Sequence, residues 1–281
     1  MNAPAEAAAS AAAPGAHWQR EQLVASFAER RRVLIPLLEL QEDVVARLFA
    51  RGERPVRRFL DVGAGAGAMS ELMLASSPAS SPQGEAGTCS PGRESSGVLV
   101  DFSQPMLARA AVDLARYAGR WQAVTGDLND PGWRDALPGG RYDAVVSGLA
   151  IHHLPSARKR ALFAEILDLL EPGGLFVNMD YVAVEGPLRG LFDEQMHANA
   201  VRAASSPEGE GRRERDGAHD GHTSCATGEG EVDLPDDHDL PDSVEDQLRW
   251  LRDAGFQQVE VHFKWAEAAI YGGARPVKGE A

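Results

Sequence analysis

Apolar residues recur along this chain with two different periods. From His17 to about Ala50, LVASFAERRRVLIPLLELQEDVVARLF carries them at helical spacing broken at Pro36, which predicts two helices joined there. VRRFLDV (56–62) is instead a short strand-like run stopped by glycines, and AMSELMLA (68–75) resumes the helical period. The alternation continues with strands over VLVDF (98–102), WQAVTGD (121–127), YDAVVSGLA (142–150) and GGLFVNMDYV (173–182). Helical spacing fills 104–118, 156–170 and 187–203. The chain closes with a helix at 243–256, ended by a glycine, and two strands, 257–265 and 267–276, joined too tightly to be anything but an antiparallel hairpin. Nearly continuous apolar strands between helices predict an α/β fold: a seven-stranded, mostly parallel sheet with helices on both faces.

Three stretches interrupt this pattern. Residues 1–16 are small and Ala-rich, start without a cationic segment and lack a Leu-rich block, so they read as a disordered tail and not a secretory signal. The Ser/Gly/Pro-rich stretch 76–97 and the charge-dense stretch 204–239 cannot bury an apolar face and read as flexible inserts. The rest, 17–281, has the length and the 43% hydrophobic content of one large domain.

A formal net charge of −14 opposes binding to phosphate backbones, so nucleic acid is not expected as a partner. Cys89 and Cys225 both lie in the inserts and indicate neither a disulfide framework nor a cysteine metal site. HDGHTSC and DLPDDHD in the second insert superficially resemble metal ligands. Their surroundings offer no rigid frame, so no metal centre is expected. No stretch approaches the roughly 20 apolar residues of a bilayer span, and the expectation is a cytoplasmic protein without a membrane partner.

Candidate chemistry begins at RFLDVGAGAGAMSELML. Gly63, Gly65 and Gly67 let the turn after the first strand approach a ligand closely and bring backbone N–H groups to the start of the next helix. Gly63, Gly65 and Ala68 satisfy a GxGxxA dinucleotide fingerprint; Asp61 with the three glycines satisfies the DxGxGxG of a nucleoside-sulfonium site; a purely structural turn would use the same residues. Asp101 ends the second strand, where it can accept bonds from both ribose hydroxyls of an adenosine cofactor or cap the next helix, although Ser103 is better placed for the cap.

Five pieces in order, FLDVGAGAG, VLVDFSQPML, TGDLND, YDAVVSGLAIHHL and LEPGGLFV, resemble the class I S-adenosylmethionine-dependent methyltransferase family over most of 56–275. The closing AGFQQVEVHFKWAEAAIYGG is similar to that family's last helix and hairpin. The resemblance implies a Rossmann-like fold with S-adenosyl-L-methionine as cofactor and the helices of 17–51 as a lid. It places the methionine moiety against Gly63, Gly65 and Gly67 with Asp61 near the ammonium, and the ribose on Asp101. Phe102 and Met106 would flank adenine, Asp127 would face its amine with Leu128 adjoining, and Ser147 and Leu149 would lie beside the sulfonium. Asp127 also suits a simple turn.

Methyl transfer needs only an aligned nucleophile and exclusion of water, because the sulfonium is already activated. Where the acceptor is a weak acid a base helps, and His152 or His153 can point at it; family members often carry His-His-Leu without that role, for packing or a backbone-fixing bond. Asp180, Tyr181 and His197 are further candidates for the acceptor side, and Arg31 or Arg32 for a carboxylate, each equally a core or surface residue. SGLA stands where NPPY would suggest methylation of nucleic acid or protein, which favours in-line transfer to a small-molecule acceptor. A carboxymethyl-type sulfonium enzyme, or a binding protein without turnover, would keep the same cofactor motifs.

Overall fold

The computed structural model describes residues 16–52, 54–75, 95–204 and 239–277. The tail 1–15 and the larger parts of both inserts, 76–94 and 205–238, lie outside the described residues. The strands are β1 (Arg58–Val62), β2 (Ser96–Asp101), β3 (Trp121–Thr125), β4 (Tyr142–Gly148), β5 (Leu170–Tyr181), β6 (Gln257–Trp265) and β7 (Ala268–Ala274). They form one sheet in the order β3-β2-β1-β4-β5-β7-β6. β1 to β5 pair with one another in parallel, and β7 runs antiparallel to both β5 and β6. From β1 the chain winds outward to β3, then returns to β4 on the other side. The carboxyl ends of β1 and β4 therefore flank a topological switch point, where an open α/β sheet leaves a crevice.

Strand alternation decides the two cores. Phe59, Leu99, Ala144 and Val146 point to one face, which α1 (Glu21–Leu34), α2 (Leu38–Ala50), α3 (Ala68–Ala75), α4 (Gln104–Asp113) and α6 (Leu191–Ala204) cover. Leu60, Val98, Val100 and Val145 point to the other, under α5 (Ser156–Leu169) and α7 (Val244–Ala254). Pro36 separates α1 from α2, as its ring requires. Ser243 caps α7 by accepting from the Asp246 amide at 3.1 Å, and Gly255 ends it in the left-handed conformation with φ 105°.

Two strands begin earlier than their composition suggests. β2 starts at Ser96, inside the stretch read as an insert, because Gly97 pairs with Phe59 and the Phe59 ring fills the space a side chain would need. A Cβ on Gly97 would lie 2.3 Å from the Phe59 ring. β5 runs through the Pro-Gly-Gly break from Leu170: a register shift against β4 absorbs the irregularity, and the Gly173 amide donates to the Arg275 carbonyl at 2.9 Å.

Gly97→Ala is expected to cost about 1–3 kcal/mol through overpacking against Phe59. The urea midpoint measures it; an unchanged midpoint would mean that Phe59 has room to yield.

Candidate functional site

The ends of β1, β2, β4 and β5 open into one cavity of about 370 Å³. Each glycine of the first turn is required for a different reason. Gly63 (φ 68°) passes under Ala150, whose Cβ would be 2.4 Å from an added one. Gly67 (φ 82°) faces Leu114 at 2.8 Å, so it serves the packing of the turn against the end of α4 and does not line the cavity. Gly65 (φ 51°) has only Met106 Sδ within reach, at 3.8 Å, and its open side is cavity wall.

The amides of this turn are already engaged. Gly63 and Ala64 donate to the Val100 carbonyl at 2.9 and 3.0 Å, and Gly65 donates to Asp101 Oδ2 at 2.8 Å. The glycines thus supply room, and the donors hold β1 to β2. The other oxygen of Asp101 accepts from the Ser103 amide at 2.8 Å, while Ser103 Oγ caps α4 by accepting from Met106. A carboxylate offers about four acceptor positions, so two remain for a diol. Burial pushes the Asp101 carboxyl above its ordinary value, against the pull of these backbone bonds.

Asp61 is fully buried. Its Oδ2 accepts from the Ser70 amide and hydroxyl at 2.9 and 2.7 Å, but Oδ1 has no hydrogen-bond partner. Burial pushes this carboxyl to about 7, with the Asp101 charge adding and Arg31 opposing. An orphaned carboxylate oxygen on a cavity wall is costly unless a cationic donor meets it. An amino acid ammonium fits that need.

Phe102, Met106 and Leu128 line the cavity beside the turn. Asp127 also lines it but is exposed, and its Oδ1 accepts from the Asn129 amide at 2.8 Å, so it is at once a turn aspartate and a cavity group. Ser147 is placed differently: its hydroxyl donates to the Val62 carbonyl at 2.7 Å, bracing β4 against β1 away from the cavity lining. Leu149, with φ 53°, does line it. Arg31 reaches the cavity and pairs with Glu42 at 2.9 Å, whereas Arg32 and His197 are exposed and outside the lining.

The opposite end is built around His152. Its Nδ1 lies 2.6 Å from Asp180 Oδ1, and Asp180 is held in turn by Asn178 and the Tyr181 amide at 3.1 and 3.0 Å. Burial disfavours a charged His152, but the Asp180 and Asp239 carboxylates override it and push the ring up to about 9. Burial and the neighbouring His152 lower His153. Despite burial, Asp239 is held well below the usual carboxylate range by both rings. Tyr181, Phe192 and Met196 form the adjoining wall, with the Tyr181 hydroxyl 3.2 Å from Asp193.

Sequence reasoning missed several of these groups. The apolar i, i+4, i+8 stripe of Phe192, Met196 and Ala200 marks the buried face of α6. Trp18, whose carbonyl accepts from Ser103 Oγ at 2.6 Å, carries no local signal, and Asp239 ends the DLPDDHD stretch, whose metal-like look had no frame in its local composition.

Residues 60–176 match the family described as "Methyltransferase domain". Carboxy-S-adenosyl-L-methionine synthases of Shewanella baltica and Shewanella putrefaciens are 30% identical over 115 residues, which is 40% of this chain and 44% of theirs. The chain therefore spans less than half the length of these curated relatives. An O-methyltransferase family protein from Burkholderia thailandensis has TM-score 0.55 at 17% identity, over 87% of this chain and 57% of that one. An O-methyltransferase family 2 protein from Planctomyces limnophilus in complex with apigenin has TM-score 0.54 at 17% identity, over 91% and 62%. PigF with SAH gives TM-score 0.54 at 17% identity, over 91% and 60%. The matched segment, the sheet order and the solved structures agree on the fold, the Rossmann-like fold of S-adenosylmethionine-dependent methyltransferases.

Proposed function

We propose that this protein transfers a methyl group from S-adenosylmethionine to a small-molecule acceptor. The observation that carries this reading is one cavity lined by both Asp61, whose Oδ1 is unpartnered, and His152. Its volume of about 370 Å³ falls in the range of small-ligand sites, which run from about 300 to 1,000 Å³. The bound cofactor supplies an activated methyl on a positively charged sulfur.

In this reading Asp61 Oδ1 receives the ammonium and Arg31 the carboxylate, across the open side of Gly65. Asp101 takes the ribose hydroxyls with its two spare acceptor positions. Phe102, Met106 and Leu128 hold adenine, with Asp127 at its amine. Gly67 and Ser147 support this wall from behind. The helices α1 and α6, joined where Asn199 Nδ2 donates to the Leu34 carbonyl at 3.0 Å, act as the lid that excludes water. The acceptor lies against Tyr181, Phe192 and Met196, where the His152 ring, held between Asp180 and Asp239, positions its nucleophilic atom and the charge around it.

The 30% identity to carboxy-S-adenosyl-L-methionine synthases supports a second reading, a carboxymethyl-type enzyme using the same cleft. Mass spectrometry of the ligand that copurifies separates the two, because a carboxylated cofactor is heavier.

Asp61 gives a pH test. Its folded value near 7 lies above the free value of 3.8, so its contribution to stability is full below the free value and is lost as pH rises through 7. An ammonium needs the charged form, so calorimetric affinity for S-adenosylhomocysteine should rise by about tenfold from about pH 6 to about pH 8. Asp61→Asn should weaken binding and flatten the profile; a flat wild-type profile would remove Asp61 from the ammonium site.

A metabolite screen for methyl transfer identifies the acceptor. With it, His152→Ala should lower kcat by about 100-fold or more while affinity for S-adenosylhomocysteine stays within about twofold. Unchanged turnover would refute the role of His152, and folded protein with no saturable cofactor binding would refute the whole assignment.

A further inference from the structure

Asp239 ends the DLPDDHD stretch, and in the fold it has the frame that its local composition does not supply. The Leu240 amide donates to the His152 carbonyl at 3.0 Å, and the fully buried Lys159 holds the Leu240 carbonyl and Asp242 Oδ2, the latter at 2.7 Å. This sets Asp239 Oδ1 3.0 Å from His153 Nδ1 and 3.5 Å from His152 Nε2. All three side chains line the cavity, and their ligand atoms lie within 4.8 Å of one another.

We infer that His152, His153 and Asp239 bind one divalent transition-metal ion, of the zinc or iron(II) kind, at the acceptor end of the cleft. Ligand atoms around a tetrahedral ion with bonds of about 2.0–2.1 Å stand about 3.3 Å apart, and the two separations bracket that value. Two imidazoles and a carboxylate suit zinc, iron, cobalt or nickel, whereas magnesium and calcium prefer oxygen alone. The Asp180 contact to His152 Nδ1 directs Nε2 toward the ion, the carboxylate–histidine–metal arrangement that orients such ligands. A dication also balances the Asp180 and Asp239 carboxylates on either side of the two rings.

Three protein ligands leave the ion a further coordination position, and because its ligands line the cavity that Tyr181 also lines, the ion would hold an acceptor hydroxyl there. It favours the oxyanion, and the proton leaves to water. The oxygen lone pair forms the new O–CH3 bond as the S–CH3 bond breaks. Its electrons stay on sulfur, which becomes a neutral thioether. This role rests on the methyl-transfer reading above; the binding of the ion does not.

The test uses untagged full-length protein, freed of metal by a chelator and titrated with Co²⁺. A visible d–d absorption is expected that saturates at one ion per chain. His153→Ala and Asp239→Asn should abolish it, and Asp180→Asn should weaken Co²⁺ binding by about 10- to 100-fold. Circular dichroism and S-adenosylhomocysteine affinity verify that each variant keeps its fold and cofactor cleft. No saturable band overturns the inference. So does a band unchanged in His153→Ala and Asp239→Asn, which would put the ion elsewhere, for instance on His219, His222 or His238. A band lost in those variants supports the ion site even where wild-type protein fails to bind S-adenosylhomocysteine, and that failure counts against the cofactor reading alone.

Discussion

Three amides of the turn after β1 are tied to the end of β2: Gly63 and Ala64 to the Val100 carbonyl, and Gly65 to the Asp101 carboxylate. These bonds keep the turn flat against β2, which holds Asp101 at the rim and the open side of Gly65 on the cavity wall. They also set the start of α3, whose Ser70 takes one oxygen of Asp61 and leaves the other buried without a hydrogen-bond partner. A side chain at Gly63 or Gly67 would push the turn into Ala150 or Leu114 and break this alignment. The ligand site is therefore shaped by strand-to-strand bonding more than by donors held in reserve.

The cleft this produces is acidic. Asp61, Asp101, Asp127, Asp193 and Asp239 all line it, against two cations, His152 and Arg31, the latter paired to Glu42. A low-dielectric crevice lined by one sign of charge concentrates the opposite sign. Under the proposed methyl-transfer reading, S-adenosylmethionine would carry positive charge on sulfur and on the amino group, and the field would favour it over a product that has lost the sulfonium charge.

How much of this was legible in the sequence follows from the range of the interactions involved. Asp61 and Asp101 end strands that parallel pairing brings side by side, so their motif spacing located them. The alternation of elements likewise foretold all seven strands and the closing hairpin. Ser147 shows where the motif stops informing: its position at the end of β4 was readable, but its hydroxyl turns to the Val62 carbonyl on the neighbouring strand. Gly67 was readable as a required glycine, but the reason, Leu114, lies beyond the end of α4. Gly97 looked like part of a flexible insert because the demand for it comes from Phe59 on another strand. Asp239 depends on Lys159, distant in the chain, and nothing around either residue announces the other.

The Lys159–Asp242 pair shows why that distant contact matters. Burying an ammonium beside a carboxylate rarely adds stability, because desolvation offsets the attraction. Its effect here is positional. Lys159 Nζ, with no exposed surface, is satisfied by Asp242 and the Leu240 carbonyl together, and the Ser156 hydroxyl donates to the other Asp242 oxygen at 2.7 Å. Any shift of the segment would strand a buried charge, so residues 239–242 are held in a single place against α5. That fixed segment donates from Leu240 to His152 and brings Asp239 to both rings. The His152–Asp239 wall of the cavity is thus positioned by an electrostatic clamp outside it, as the Asp61–Asp101 wall is positioned by backbone bonds beneath it.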